Sequence, residues 1–182
     1  LTCLSLHGLG LTSLPAELSR LTRLQILGAS DNALRSFPRV LGSFKELRDL
    51  RLDANRIAGG SDTATDQPFP PTLINLNLAR NRLIRCPRGV AKLTALQTLL
   101  LDSNRLERLP IEVSNLRSLC VLSLHKNPLI ARDQHLVDRC ARMHGDAART
   151  DVGDGDGTGV AIIQRELRKR IAKSIARRGA RA

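Results

Sequence analysis

Leucine positions along most of this chain alternate with variable positions in a pattern that returns about every 23 residues. Six segments follow the pattern, and two of them read "LQTLLLDSNRL" from Leu96 and "LINLNLARNRL" from Leu73. Their shared form is L-x-x-L-x-[L/A]-x-x-N-x-[L/I]; only the first segment departs from it, with Leu9 where Asn is expected. The segments begin at residues 1, 24, 47, 73, 96 and 119, and these starts are 23, 23, 26, 23 and 23 residues apart.

The alternation predicts a short β-strand in each segment, with the leucines on one face and the variable residues on the other. A single segment cannot bury its leucines alone, so we expect neighbouring segments to stack, pair their strands in parallel and share one core. An asparagine closes each strand from the second segment onward. Its amide is expected to bond backbone groups of the turn. These asparagines are Asn32, Asn55, Asn81, Asn104 and Asn127.

The segments that lead from one strand to the next open on a proline, which fixes φ and suits either a helical turn or an extended start. The dipeptides are Leu14–Pro15, Phe37–Pro38, Cys86–Pro87 and Leu109–Pro110. Cys86 replaces a leucine here and is interpreted as a small buried hydrophobe. Residues 59–72 interrupt the third repeat, and we expect Phe69–Pro70 to take the Leu–Pro role there.

Residues 1 to about 130 resemble the leucine-rich repeat family in its 23-residue intracellular form, as found in scribble- and erbin-like scaffolds and plant intracellular Ras-group repeat proteins. The resemblance implies an α/β solenoid, a curved arch with short parallel strands on its concave face and a helical C-terminal cap. It also implies a non-catalytic protein–protein interaction scaffold within a multi-subunit assembly. An intracellular location follows, cytoplasmic in the first place, with an organelle or the cilium left open.

The C-terminal part, residues 131–182, is predicted to form this cap from a helix, a Gly/Asp-rich loop and a basic amphipathic helix. The first helix is expected over residues 132–145. The segment "GTGVAIIQREL" from Gly157 is similar to the one that closes many leucine-rich repeat domains. Its apolar stripe is expected to contain Ile162, Ile163, Leu167, Ile171 and Ile175.

The Gly/Asp-rich stretch that begins at Asp151 invites two other interpretations, and both fail. A calcium loop that starts at Asp154 needs a bidentate Glu at its twelfth position, where this chain has Arg165. A phosphate-binding loop needs Gly-Lys-[Ser/Thr], which is absent from the stretch.

The variable strand positions are expected to face the concave surface and to bind a protein partner. They mix small, polar and apolar residues with charges of both signs, whereas a phosphate backbone favours a dense cationic stripe. The candidate protein-binding residues are Asp49, Arg51, Asp53, Asn75, Asn77, Arg80, Thr98, Leu100, Asp102, His125 and Lys126.

The net charge of +12 suggests an alternative function, as an RNA-associated component of a ribonucleoprotein particle or a protein that binds an acidic surface. Arg56, Arg82 and Arg105 each follow an asparagine and should line one edge of the arch. The C-terminal helix carries further cationic residues. The candidate anion- or RNA-binding residues are Arg56, Arg82, Arg105, Arg165, Arg168, Lys169, Arg170, Lys173, Arg177 and Arg178.

The sequence predicts no catalytic residue, no metal site and no cofactor. Its four cysteines form no C-x-x-C pair, which argues against zinc and for a reducing compartment. No apolar stretch approaches 18 residues, so no transmembrane segment is expected. Because the chain opens on Leu1 within a repeat rather than on Met, we expect it to be a fragment or a processed piece.

Overall fold

In the computed structural model, which describes residues 1–58, 69–142 and 158–179, the repeats form one open sheet of parallel strands. Each strand pairs with the strands of the neighbouring repeats, in the order β1-β2-β3-β4-β5-β6. This arrangement confirms the expected α/β solenoid. The strands are β1 (Cys3–Ser5), β2 (Ile26–Gly28), β3 (Asp49–Arg51), β4 (Asn75–Asn77), β5 (Thr98–Leu100) and β6 (Val121–Ser123).

The core is built almost entirely from leucines, because the middle residue of each strand points inward. Leu50, Leu76 and Leu99 are completely buried and lie side by side in the register of the sheet. Burial of one such side chain contributes about 1.5–3 kcal/mol. Leu4 of β1 is only half-buried, since β1 is an edge strand of the sheet.

The asparagines form a buried hydrogen-bond ladder behind the sheet, as the sequence predicts. Asn81 donates from Nδ2 to the carbonyl oxygens of Leu52 (2.9 Å) and Leu78 (3.1 Å), and its Oδ1 accepts from the N–H of Ile57 at 3.0 Å. One side chain therefore satisfies backbone groups in two successive repeats. Equivalent bonds are made by Asn32, Asn55, Asn104 and Asn127.

Four short 3-10 helices, here called the return helices, lie on the other side of the core. Each begins directly after a proline with φ between −61° and −69°, as the fixed proline φ requires. Of the two conformations expected after these prolines, the structure has the helical turn, and Cys86 is buried as expected. The return helices are Ala16–Arg20, Arg39–Ser43, Arg88–Lys92 and Ile111–Asn115.

The third repeat meets the prediction in part. The N–H of Leu73 donates to the carbonyl oxygen of Pro70 at 3.2 Å, and the prolines of the Leu–Pro pairs accept the same bond from the residue three positions on. Pro70, however, lies three residues before the next repeat instead of nine, and no return helix follows it among the described residues. Phe69 fills the core there, with its ring edge-on to Phe37 at 5.3 Å between centroids.

The strands are three residues long and end before some of the candidate residues predicted to face the concave surface. In every repeat the residue just before the asparagine position has left-handed backbone, with φ of 52–56° at the non-glycine residues and 67° at Gly8. A strand cannot continue through this conformation, so the chain turns away from the sheet. The residues concerned are Gly8, Asp31, Ala54, Arg80, Ser103 and Lys126.

Two α-helices form the C-terminal cap, α1 (Ala131–Arg142) and α2 (Thr158–Gly179). In α1, Leu136 and Val137 are buried as expected, whereas the Cys140 side chain, Met143 and Gly145 lie outside the described residues, as does the Gly/Asp-rich stretch up to Gly157.

The apolar stripe of α2 is shorter than predicted. Val160, Ile163 and Leu167 are buried, but Ile171 is only half-buried and Ile175 is 66% exposed. The hydrogen bonds of α2 to the last return helix and to α1 come from side chains up to Arg170. The side chains of residues 172–177 are all exposed.

Candidate functional site on the strand face

Six of the eleven candidate protein-binding residues lie together on the three central strands. They occupy the two outward positions of β3, β4 and β5 in exact register. Neighbouring strands are about 4.8 Å apart, and alternate residues of a strand are about 6.6 Å apart. We call this surface the strand-face block; it contains Asp49, Arg51, Asn75, Asn77, Thr98 and Leu100.

An ion pair dominates the β3 side of the strand-face block. Arg51 Nε lies 3.0 Å from Asp49 Oδ1, and Asn75 Nδ2 donates to Asp49 Oδ2 at 3.4 Å. The hydrogen bond and negative charge of Asp49 raise the pKa of Arg51. The Asp49 carboxylate is largely occupied by these partners, whereas the Arg51 side chain is 60% exposed and accessible to a ligand.

The other side of the block offers neutral groups. Asn77 accepts the N–H of Ala79 at 3.0 Å through Oδ1, and Nδ2 has no hydrogen-bond partner among the described residues. Thr98 and Leu100 are half-buried and present a hydroxyl and methyl groups. The block thus combines a cation, amides, a hydroxyl and an apolar side chain, which is a mixture suited to a protein surface.

The remaining five candidates lie beyond the strand ends. Asp53 accepts a hydrogen bond from Ser30 Oγ at 2.6 Å, and Asp102 accepts from the N–H of His125 at 2.9 Å. These two carboxylates therefore join neighbouring repeats. Arg80 and Lys126 occupy the left-handed turn and are exposed, as is His125.

Two serines at variable positions of the repeats, Ser30 and Ser123, are buried. Ser30 donates to Asp53, and Ser123 donates to Asp102. The hydroxyl groups are drawn against the acidic neighbour, which removes them from the accessible surface. Conversely, Ile26 of β2 is 40% exposed in register with Asp49. Ile26 occupies the same variable position of its repeat as Asp49, so the sequence pattern could have identified it, but it was not among the candidates.

The candidate arginines Arg56, Arg82 and Arg105 lie on a second backbone ladder, along the edge of the arch that follows the asparagines. Their N–H groups donate at 2.9 Å to the carbonyl oxygens of the preceding repeat, at Leu34, Ile57 and Leu83. All three are exposed, and none has an ion-pair partner in the part of the chain that the structure describes. We call these three residues the arginine edge.

Arg85, which follows in the same repeat as Arg82, has an acidic neighbour. Partial burial raises the pKa of the Glu112 carboxyl, and the charges of Arg88 and Arg85 partly offset this rise, as does a hydrogen bond from the Glu112 backbone. Arg85 is therefore set apart from the arginine edge.

Two of the basic residues of α2 stabilise the cap. Arg168 Nε donates to the carbonyl oxygen of Ser114 at 2.8 Å, beside bonds of Gln164 Nε2 to Leu116 (2.7 Å) and Val113 (3.0 Å). These carbonyls belong to the last return helix and its end, where helix carbonyls lack internal partners. The amide of Gln164 thus supplies hydrogen bonds to these carbonyl oxygens at the end of the repeats.

Arg170 pairs with the buried carboxylate of Asp133, whose other oxygen accepts the N–H of Leu109 at 2.9 Å. The remaining described cations of α2 face solvent, and they are Arg165, Lys169, Lys173 and Arg177. The Arg178 side chain lies outside the described residues.

Two further kinds of feature were sought within the described residues. No cluster of three His, Cys, Asp or Glu side chains there is placed to hold a metal ion. None of the described helices is long and apolar enough to cross a membrane.

Comparison with known proteins agrees with the repeat architecture. No family model matches the chain. A curated rice protein, plant intracellular Ras-group-related LRR protein 8, is 30% identical over 76 residues. Among solved structures, the Leptospira interrogans LRR protein LIC12759 is 36% identical and superposes with a TM-score of 0.57 over 64% of this chain. The chain is a leucine-rich repeat protein.

Solved plant receptors with this fold are also similar. The peptide hormone receptor RGFR1, in complex with RGF2, is 32% identical with a TM-score of 0.55. The LRR ectodomain of the Arabidopsis thaliana receptor kinase GASSHO1/SCHENGEN3 is 31% identical with a TM-score of 0.51. This leucine-rich repeat protein spans 20% of the length of the rice protein and 29%, 19% and 14% of the three solved chains.

Proposed function

We propose that this protein binds a protein partner through the strand-face block, without catalysis, as one component of a larger assembly. The leucine-rich repeat fold generally mediates protein–protein interaction. The observation that carries the proposal is the block itself, six outward side chains in register on three adjacent strands, with Arg51 accessible and Leu100 as an apolar contact.

The strand-face block is preformed, which lowers the entropy cost of association. Its strands are fixed by the leucines beneath them, and the Asp49–Arg51 pair holds one side chain in place. A specific interface buries about 800 Å² on each partner, which is more than six residues supply. We therefore include the exposed Ile26 on one side and Arg80, His125 and Lys126 beyond the strand ends.

Two of the solved relatives support a binding function, since RGFR1 is in complex with RGF2 and GASSHO1/SCHENGEN3 with CASPARIAN STRIP INTEGRITY FACTOR 2. The rice relative is named an intracellular protein. We propose an intracellular location for the present chain as well, in keeping with Cys3, Cys86 and Cys120, which are free thiols. An RNA-associated role stays a prediction from the sequence.

The proposal is tested in two steps. The tagged protein is first used to recover complexes from nuclease-treated and untreated extracts of its source cells. A protein retained after nuclease treatment is then purified, and its affinity is measured by isothermal titration. Loss of every bound species with nuclease contradicts the proposal and favours the RNA-associated role.

The double variant Asn75→Ala/Leu100→Ala should bind the purified partner about tenfold or more weakly, as expected when central contacts are truncated. Lys45→Ala/Glu46→Ala is a matched control, because both residues are exposed and lie outside the block. The two substitutions together leave the net charge unchanged. Equal affinity of the two double variants would remove the block from the interface.

A further inference from the structure

The arginine edge is a charged surface separate from the strand-face block, and the fold holds its three residues in line. Because each N–H bonds to the preceding repeat, the Cα atoms of Arg56, Arg82 and Arg105 are fixed on successive rungs. Adjacent rungs at the spacing of a parallel ladder are about 4.8 Å apart. Three exposed guanidinium groups thus stand on a base about 10 Å long.

Like charges this close repel one another, and an anion that bridges them removes the repulsion. No carboxylate among the described residues forms an ion pair with these three guanidinium groups. On the strand face, Asp49 pairs with Arg51, Asp53 accepts from Ser30 and Asp102 accepts from Ser123. The described residues therefore leave the arginine edge to take its counter-charge from a ligand.

We propose that the arginine edge binds a run of acidic side chains in an extended segment of a partner protein. A guanidinium group forms paired hydrogen bonds to a carboxylate, which gives both strength and direction. An extended chain rises about 3.3 Å per residue, so three or four of its residues span the three rungs.

A peptide fits the edge better than single-stranded RNA does. RNA-binding surfaces place aromatic rings beside their cations so that bases can stack. The only aromatic residues of this chain are three phenylalanines. Phe44 and Phe69 are buried, and Phe37 packs against Phe69 within the core. The arginine edge thus offers charge without a stacking surface.

The test uses fluorescence anisotropy with a labelled peptide of six consecutive glutamates flanked by Gly-Ser, titrated with the full chain at low and moderate salt. The triple variant Arg56→Gln/Arg82→Gln/Arg105→Gln should bind this peptide about tenfold or more weakly. Its affinity should also depend less on salt. The single variant Arg82→Gln, which removes only the central cation, should weaken binding about threefold.

The control Arg20→Gln/Arg23→Gln/Arg117→Gln removes the same charge from exposed positions elsewhere and should change the affinity less than about threefold. Thermal unfolding by circular dichroism verifies that all variants are folded. Equal losses in the edge and control variants would overturn the proposal, as would a loss only in Arg165→Gln/Lys169→Gln/Lys173→Gln of α2. Tighter binding of a labelled ten-nucleotide uridine oligomer at the same edge would also overturn it. Because the probe is independent of the partner of the strand-face block, failure here leaves the proposed function standing.

Discussion

Asn81 illustrates how one residue type stabilises this fold at the residue scale. Its side chain is buried and bonds three carbonyl oxygens and one N–H in two successive repeats. The strand ends at this point, so these backbone groups have no sheet partner of their own. The asparagine pattern predicted this role, because the requirement recurs at the same position in each repeat.

We expect Asn81→Ala to lower the free energy of unfolding by about 2–4 kcal/mol, since it leaves several buried backbone groups without partners. Asn75→Ala is the matched control, because Asn75 has a single polar contact on the strand face and should lose under about 1 kcal/mol. Urea denaturation measures both values. Similar values for the two variants would contradict the role given to the ladder.

The left-handed position before each asparagine was not predicted, because it is filled by Asp, Ala, Arg, Ser and Lys rather than by glycine. At Ala54, φ is 52°. A β-branched residue fits this conformation poorly, so Ala54→Val should destabilise the protein by about 1–2 kcal/mol. Ala54→Gly should be neutral within about 1 kcal/mol or stabilising. Thermal unfolding of the two variants makes the comparison, and equal melting temperatures would rule out the strain.

Cys86 should be the unreactive one of the three described thiols. Burial, and to a lesser extent the charge of Glu112, raises its pKa well above the usual value, so the thiol stays neutral at pH 8. Cys3 and Cys120 are exposed. Labelling of the native protein with iodoacetamide, followed by peptide mass spectrometry, should show that Cys86 reacts at least about a hundredfold more slowly than Cys3 and Cys120. Urea should remove the difference, and rapid native labelling of Cys86 would be inconsistent with its burial.

At the scale of elements, the periodicity predicted each strand, and four of the prolines marked where the return helices begin. The sequence-based prediction was incomplete where residue spacing does not reveal which surfaces contact one another in the fold. Phe69 packs against Phe37 as a Leu–Pro pair would, but no return helix follows Pro70 among the described residues. The predicted apolar stripe of α2 includes Ile175, which is exposed, because helical spacing does not reveal how far the protein surface that the helix packs against extends.

The pair formed by Asp133 and Arg170 joins the two cap helices, and nothing in the sequence identified it. Asp133 is almost fully buried. Arg170→Ala leaves its carboxylate without a cationic partner and should cost about 3 kcal/mol in the free energy of unfolding. Lys169→Ala, at the exposed neighbouring position, should cost under about 0.5 kcal/mol. Guanidinium denaturation measures both, and equal costs would show that the pair is dispensable.

At the scale of the whole molecule, the repeats present two separate surfaces. The sequence placed the columns of the strand face correctly, because parallel pairing in register follows from equal repeat length. It did not distinguish Arg51, which is accessible, from Asp53 and Asp102, which bond Ser30 and Ser123. That difference depends on side-chain contacts between repeats. Likewise, Arg168 and Arg170 looked equivalent to the exposed cations of α2.

The central claim is that the strand-face block binds the partner, and a single titration tests it most directly. The partner recovered after nuclease treatment is titrated calorimetrically into Asn75→Ala/Leu100→Ala and into the wild-type chain. We predict a dissociation constant raised about tenfold or more, with the melting temperature lowered by only a few degrees. An unchanged dissociation constant in a folded double variant would contradict the claim.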